Sequence, residues 1–150
     1  SEVFGVNTAD QYLKTIFLVE ELNDGPAATG ELADRLGVSP ASVNEMVGKL
    51  EERGLVAHEK YKGATVTADG EARAREALQT YCILERFLAN VLDVDDYRAE
   101  ARQLEPVIDE TVADRLDMII DREPQCPDCF DAEADACGYL VEEEAVEADD

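Results

Sequence analysis

The sequence is poor in the residue types on which many catalytic sites depend. It has one histidine, His58, and no tryptophan among 150 residues. A single histidine excludes a histidine-based triad or a histidine-rich metal centre within one chain, and no serine or cysteine has an evident base partner. Phosphate-binding glycine loops and nucleotide fingerprints are also absent. We therefore expect that the protein is not an enzyme, and that His58 is structural or lies near a phosphate.

The sequence also lacks the features of a membrane or secreted protein. No run of about 18 uncharged apolar residues, the length that a membrane span needs, occurs in it. The first ten residues do not place a basic stretch before an apolar one, as a secretory signal would. Hydrophobic residues make up 45% of the chain, which is enough for a core in one domain or two small ones. We expect a folded cytoplasmic protein.

Positive charge is scarce. The chain has 13 Lys+Arg against 36 Asp+Glu, a formal net charge of -23, whereas DNA-binding domains are usually basic. The acids are spread along the whole chain, which resembles the salt-adapted proteins of halophilic archaea. In molar salt the screening length is about 3 Å, so such a surface tolerates its own repulsion. Composition therefore leaves two interpretations open: a salt-adapted nucleic-acid-binding protein, or an acidic protein that avoids nucleic acid.

The charge is unevenly divided along the chain. Residues 1–75 hold 13 acids and 8 bases, whereas residues 76–150 hold 23 acids and 5 bases. Within residues 39–67 the two signs balance. A surface that meets a polyanion is expected in that segment.

Apolar periodicity predicts helices and one hairpin in the first half. Helices are expected over residues 8–22, 29–36 and 39–53, and two strands over 55–61 and 64–67. The third helix has a serine N-cap, a proline at its first position, and the full i, i+3, i+4, i+7 apolar pattern. Its inward residues are Val43, Met46, Val47 and Leu50.

This order of elements is that of a winged helix-turn-helix. The helix after the turn presents its first residues to the major groove, and the wing touches the neighbouring backbone. Asn44 can pair with adenine, Ser42 can contact a base or phosphate, and Ala41 can pack on a thymine methyl. The alternative is a small helical bundle with no nucleic-acid role. The candidate DNA-binding residues are Ser39, Pro40, Ala41, Ser42, Asn44, Glu45, Lys49, Lys60 and Lys62.

The second half is predicted to be helical. A long helix capped by Thr67 is expected to reach about Leu92, and further helices to span about 95–105 and to start at Asp109. The inward positions of these last two helices include Leu104, Val112 and Ile119. An apolar run on the long helix is too broad for one face in a small domain, so we expect a symmetric homodimer to bury it. The run consists of Ile83, Leu84, Phe87, Leu88, Val91 and Leu92.

Six segments together carry a family resemblance: 10–16 (DQYLKTI), 38–47 (VSPASVNEMV), 59–63 (EKYKG), 65–67 (TVT), 85–88 (ERFL) and 98–101 (RAEA). They resemble the metal-dependent repressors typified by the diphtheria toxin repressor and the manganese transport regulator. The resemblance implies a homodimer that binds a palindromic operator on double-stranded DNA, with affinity switched by a transition metal such as iron or manganese. We do not expect the SH3-like third domain of the longer members.

The chain departs from this family at most of the implied metal ligands. Two carboxylates remain, Glu85 and Glu105, and they are either ligands in an oxygen-rich site or acids on ordinary helix faces. Lys14 is a cation and cannot serve as a ligand. The other substituted positions are Gln11, Tyr81, Arg98, Arg102 and Pro106.

Cysteines offer another donor set. Cys126, Cys129 and Cys137 form a C-x2-C-x7-C arrangement, and Cys82 lies on the long helix. A C-x2-C pair places two thiolates on one tight turn, as a tetrahedral zinc or iron ion requires. The same cysteines are also compatible with a thiol redox switch, structural disulfides or inert thiols.

We predict a mostly α protein: a winged helix-turn-helix DNA-binding domain over residues 1–70, an all-helical dimerisation and metal-sensing domain over 71–140, and an acidic tail over 141–150. Its predicted function is DNA-binding transcriptional regulation, as a repressor in metal-ion homeostasis that responds to Fe2+ or Mn2+, or to Zn2+ through the cysteines. The alternatives are a thiol redox-sensing regulator and a winged-helix interaction adaptor with a structural zinc knuckle.

Overall fold

The computed structural model describes residues 9–120, 130–131 and 136–137. The mostly helical architecture with a two-stranded wing is confirmed. The chain divides into two compact units between Ala77 and Leu78, within the fourth helix. No helix among the described residues is long and apolar enough to cross a membrane. The elements are α1 (Ala9–Asn23), α2 (Thr29–Leu36), α3 (Pro40–Glu52), β1 (Val56–Glu59), β2 (Gly63–Val66), α4 (Ala68–Arg86), a π-helical turn (Phe87–Val91), α5 (Tyr97–Leu104), α6 (Glu110–Ile119), β3 (Phe130–Asp131) and β4 (Ala136–Cys137).

The core of the first unit is built from apolar residues of its first three helices. Leu13 and Ile16 of α1, Leu32 of α2, and Val43 and Leu50 of α3 are almost fully buried. Their spacing is the helical period that the sequence shows, since residues three and four apart lie on the same side of a helix. The three helices therefore share the apolar core that holds α2 and α3 in place.

The turn between α2 and α3 is fixed by residues that the sequence singles out. Gly37 adopts a left-handed conformation (φ 68°), and the chain there bonds back to the Ala33 carbonyl. Ser39 is the N-cap of α3, and its side chain accepts a hydrogen bond from the backbone N–H of Ser42 at 3.1 Å. Pro40 occupies the first helical position, where it sacrifices no hydrogen bond. The predicted helix-turn-helix is confirmed.

The wing is a short antiparallel hairpin joined to the helical body. Its strands are shorter than predicted, and Gly63 opens β2 instead of forming the turn; Glu59 pairs with Gly63 at the tip end of the ladder. Ala27 exchanges two backbone hydrogen bonds with Ala64, at 2.8 and 2.9 Å. The Glu20 carboxylate of α1 accepts a third bond, 3.0 Å long, from the Val66 N–H. A two-stranded hairpin alone is only marginally stable in water. These bonds to the rest of the first unit therefore stabilise the wing and fix its position.

The start of α4 is tied to the turn that precedes the wing. The Thr67 hydroxyl accepts a hydrogen bond from the Gly70 N–H at 3.2 Å and donates one to the Gly54 carbonyl at 2.7 Å. The Thr67 N–H donates to the Leu55 carbonyl at 3.0 Å. Thr67 is therefore the N-cap that the sequence predicts, and it also links two parts of the first unit.

The second unit packs around the end of α4. Its core contains Tyr81, Cys82, Leu84 and Leu88 together with Tyr97 and Ala101 of α5. The long helix does not stay α-helical to Leu92. It widens into a π-helical turn after Arg86, where the Leu92 N–H bonds to the Phe87 carbonyl five residues back.

Several apolar residues of the second unit are not where periodicity places them. Leu104, Val112 and Ile119 are predicted to face inward, but they are exposed. Periodicity identifies the apolar side of a helix and not the element that covers it. The unit is also not entirely helical, since β3 and β4 pair as a two-residue ladder.

The apolar run offered as a dimer interface is also mostly covered by its own chain. Ile83, Leu84 and Leu88 are buried within the protomer, and Leu84 and Leu88 belong to the core of the second unit. The end of the run remains available for contact with a second chain, because Val91 is 50% and Leu92 53% exposed.

Candidate nucleic-acid interface

The structure places the predicted site residues of the first unit on two exposed segments. Those of α3 lie along its solvent side from the N-cap onward, while Val43, Val47 and Leu50 fill the core. Those of the wing lie at its tip. The exposed members are Ser39, Pro40, Ala41, Ser42, Asn44, Glu45 and Lys49 on and before α3, and Lys60 and Lys62 on the wing.

The polar side chains at the start of α3 are held in place by one another. The Ser39 hydroxyl donates to the Ser42 hydroxyl at 3.0 Å while it accepts from the Ser42 N–H. Ser42 thereby keeps its own proton available for an acceptor outside the protein. The Thr29 hydroxyl of α2 lies 3.4 Å from the Asn44 side-chain oxygen, which orients the amide. These bonds preorganise two donors on the exposed end of α3.

The charges on this surface are paired with acids. Lys49 lies 3.5 Å from Glu45, one turn earlier on α3, and Lys62 lies 4.0 Å from Glu59. Exposed pairs of this kind contribute little to stability and exchange readily. The lysines can therefore leave their acids for a phosphate at small cost.

Tyr12 of α1 lies behind this face, in a groove that it shares with Ser42 and Glu45. Burial, with the Glu45 carboxylate as a smaller cause, raises the pKa of Tyr12 above its ordinary value. The phenol therefore stays neutral, and it adds no negative charge beside α3.

The residue that sequence reasoning missed is Tyr61. It occupies the tip of the wing between Lys60 and Lys62, and its side chain is 93% exposed. The available signal was the triplet Lys-Tyr-Lys directly before the glycine of the hairpin, which places an aromatic ring at a turn where small residues are usual.

Four of the six candidate metal ligands lie among the residues that the structure describes. Glu85 and Glu105 both lie in the second unit and are 0% and 7% exposed. Cys82 is buried in the apolar core of that unit. Cys137 lies in β4, while Cys126 and Cys129 lie outside the described residues.

The donor set that the structure describes does not fit the divalent ion implied by the resemblance. Within the described ranges, no group of three or more histidine, cysteine, aspartate or glutamate side chains is arranged to hold a metal. The second unit also buries Arg86 and half-buries Arg98.

Two family models cover most of the chain. Residues 6–64 match the N-terminal DNA-binding domain of the iron dependent repressors, and residues 67–130 match their metal binding and dimerisation domain. The fold and the α3 surface define a DNA-binding transcriptional regulator of the winged helix-turn-helix class. The chain belongs to the iron dependent repressor family.

Individual relatives agree with this assignment. An uncharacterised HTH-type transcriptional regulator of Methanocaldococcus jannaschii is 32% identical over 115 residues, which are 75% of this chain and 92% of the relative. The HTH-type transcriptional regulator MntR of Lysinibacillus sphaericus is 36% identical over 89 residues, 59% of this chain and 63% of that protein.

Solved structures are similar over the same region. A manganese-dependent transcriptional repressor in complex with manganese superposes with a TM-score of 0.66 at 33% identity, over 74% of this chain and 51% of its own. The manganese regulator SloR gives 0.64 at 31% identity, over 74% and 52%. The chain therefore spans about half the length of these two solved relatives.

These findings confirm the family resemblance and the mostly helical fold. They also confirm that the protein is not an enzyme, because the family consists of transcriptional regulators. The halophilic origin stays a prediction from composition.

Proposed function

We propose that the protein is a transcriptional repressor that binds a palindromic operator as a homodimer and reads base edges with the start of α3. The observation that carries the proposal is the exposed, preorganised polar end of α3 on a capped and well-packed helix. A recognition helix needs this division between a buried apolar side and an exposed side with hydrogen-bonding groups. Homodimerisation is supported by the family's dimerisation domain, which matches residues 67–130.

Five of the exposed residues have a role in this proposal that follows from their chemistry. Asn44 offers an oriented amide that suits adenine, and Ser42 offers a hydroxyl proton to a base or phosphate acceptor. Ala41 offers a methyl surface. The side chains of Lys60 and Lys62 are point charges that suit phosphates, and they position the protein without reading sequence.

The first test separates base readout from backbone contact. Asn44→Ala should lose about 1 to 3 kcal/mol of discrimination at one base position in each half-site. Lys62→Ala should weaken binding to every sequence alike. It should also reduce the slope of log K against log salt concentration by about one for each phosphate that is no longer neutralised. Fluorescence anisotropy against an operator series and a salt series measures both.

Arg115→Ala is the matched control, because it removes one exposed positive charge from α6 outside the proposed surface. It should leave both the salt slope and the base discrimination unchanged. If the Asn44 and Lys62 variants both bound a natural operator as the wild type does, this surface would not be the DNA-binding surface. Binding of a protein partner by a chain that binds no DNA would favour the interaction adaptor.

We further propose that a transition metal controls the affinity for DNA, with the cysteines as its principal donors. One solved relative is a manganese-dependent repressor, which makes Mn2+ or Fe2+ the ions that the family suggests. Among the described residues the buried acids are Glu85 and Glu105, whereas thiolates at Cys126, Cys129 and Cys137 would favour Zn2+ or Fe2+. The fourth donor in this proposal is Cys82 or a carboxylate.

Replacing Cys126 and Cys129 together by serine should abolish metal retention and change operator affinity, because thiolates bind these ions far more tightly than hydroxyls. Glu85→Gln with Glu105→Gln should have little effect on metal content. Elemental analysis of purified protein, paired with operator titration, measures both effects. A full metal response that survives the cysteine change but is lost in the glutamate variant would return the sensor to the carboxylates. An operator affinity that follows thiol oxidation and not metal would favour the redox sensor.

A further inference from the structure

The tip of the wing exposes an aromatic side chain that the fold itself does not use. Among the described residues of the first unit, Tyr61 is the one large hydrophobic side chain that is exposed, at 93%. Tyr12 and Phe17 of the same unit are buried. The Tyr61 ring therefore adds no packing to its own core.

The backbone conformation at Tyr61 is also unusual for this residue type. Its φ is 68°, in the left-handed region that glycine and asparagine favour. The Lys62 N–H bonds to the Glu59 carbonyl at 3.0 Å and closes the turn, so Tyr61 is its third residue. Turn chemistry alone would select glycine or asparagine there. Strained residues of this kind concentrate at functional sites.

The wing holds the backbone that carries this ring in a fixed place relative to α3. Ala64 is bonded to Ala27 by two backbone hydrogen bonds, and Val66 is bonded to Glu20 of α1. A side-chain carbon at Gly63 would overlap the Ala27 carbonyl, so the hairpin lies directly against the chain before α2. Because α1 to α3 share one core, the wing tip and the exposed end of α3 belong to the same unit.

The neighbours of Tyr61 indicate the charge of its partner. Two of the four lysines in this acidic chain flank it, and the Lys60 ammonium lies 5.1 Å from the centre of its ring. An aromatic ring between two cations suits a partner with an apolar surface beside an anion. The sugar-phosphate backbone of DNA has both.

We propose that Tyr61 is a DNA contact: its ring packs on a deoxyribose beside the half-site that α3 occupies, and its hydroxyl donates to the adjacent phosphate. This inference rests on the proposed function, because it requires that α3 binds DNA. The contact adds affinity without reading bases. Lys60 and Lys62 supply charge on either side, and Tyr61 supplies the apolar area and one directed hydrogen bond.

The test compares Tyr61→Asn with Tyr61→Phe and Lys62→Ala. Asparagine tolerates the left-handed backbone, so Tyr61→Asn should keep or raise the thermal midpoint. The operator affinity of Tyr61→Asn should fall about tenfold, and that of Tyr61→Phe should fall by a smaller factor. The salt slope should stay constant for both, since tyrosine is neutral, but decrease by about one for Lys62→Ala. Hydroxyl-radical footprinting should show one deoxyribose per half-site that Tyr61→Asn no longer protects.

Three results would overturn the proposal. One is unchanged affinity and footprint in Tyr61→Asn while the wild type binds its operator. Another is a thermal midpoint that falls in step with affinity, which would make Tyr61 structural. The last is a change in oligomeric mass, which would place the ring in a protein interface. A wild type that binds no operator would instead contradict the proposed function itself, so the two failures are distinguishable.

Discussion

Gly70→Ala should destabilise the protein by about 3 kcal/mol, at the upper end of what overpacking costs. A side-chain carbon at Gly70 would overlap the carbonyl oxygen of Leu55, a backbone atom that cannot rotate away. To relieve the overlap, the start of α4 must move off the turn before the wing. That movement strains the Thr67 bonds to Leu55 and Gly54.

Helix propensity alone would predict that Gly70→Ala stabilises the protein, so a loss of stability would report the contact with Leu55. Alanine is favoured over glycine inside a helix by about 1 kcal/mol. Gly48, inside α3, has no neighbouring atom that a side-chain carbon would touch, so Gly48→Ala should stabilise the protein. Chemical denaturation of both variants in molar KCl measures the difference. Equal stabilisation by the two substitutions would show that α4 does not lie against Leu55.

Gly70 also illustrates what sequence patterns can and cannot predict in the first unit. Gly37, Ser39 and Pro40 act on their immediate neighbours, so their roles at the turn and cap follow from local chemistry. Gly70 acts through an approach to Leu55, fifteen positions earlier, and no local pattern encodes it. The same holds for Ala27, whose pairing with Ala64 joins segments far apart in sequence.

The candidate site divides in the same way. The exposed side of α3 was predictable, because the period that buries Val43 and Leu50 also exposes Ser42 and Asn44. The exposure and left-handed backbone of Tyr61 were not predictable, since both are properties of the folded hairpin. Nor does a helical period predict that a cation such as Lys14 is buried in α1.

The second unit shows a further limit, which concerns partners. Apolar residues are exposed at the end of the π-helical turn, on α5, on α6 and between these two helices, although Leu104, Val112 and Ile119 are predicted to face inward. An amphipathic pattern is satisfied equally by a neighbouring helix and by a second chain. The exposed set is Val91, Leu92, Leu104, Val107, Val112, Met118 and Ile119.

Val91→Lys combined with Leu92→Lys should convert the protein to a monomer and reduce operator affinity at least about 100-fold. Both side chains are half exposed in the protomer, so lysine costs the fold little there. In a homodimer the same positions would bury two unpaired cations per chain, which is strongly unfavourable. A monomer binds one half-site and loses the avidity that two linked half-sites provide.

Asp114→Lys is the matched control, because it changes the net charge by the same two units at an exposed position of α6 that is already charged. It should remain dimeric and should bind DNA at least as well as the wild type, since the added positive charge favours a polyanion. Light scattering in molar KCl measures mass, and operator titration measures affinity. If both variants kept twice the chain mass, Val91 and Leu92 would lie outside the interface, and the other exposed apolar residues would have to form it. If the wild type had the mass of one chain, the basis for recognising a palindrome would be removed, because two separate molecules would then have to bind the two half-sites independently.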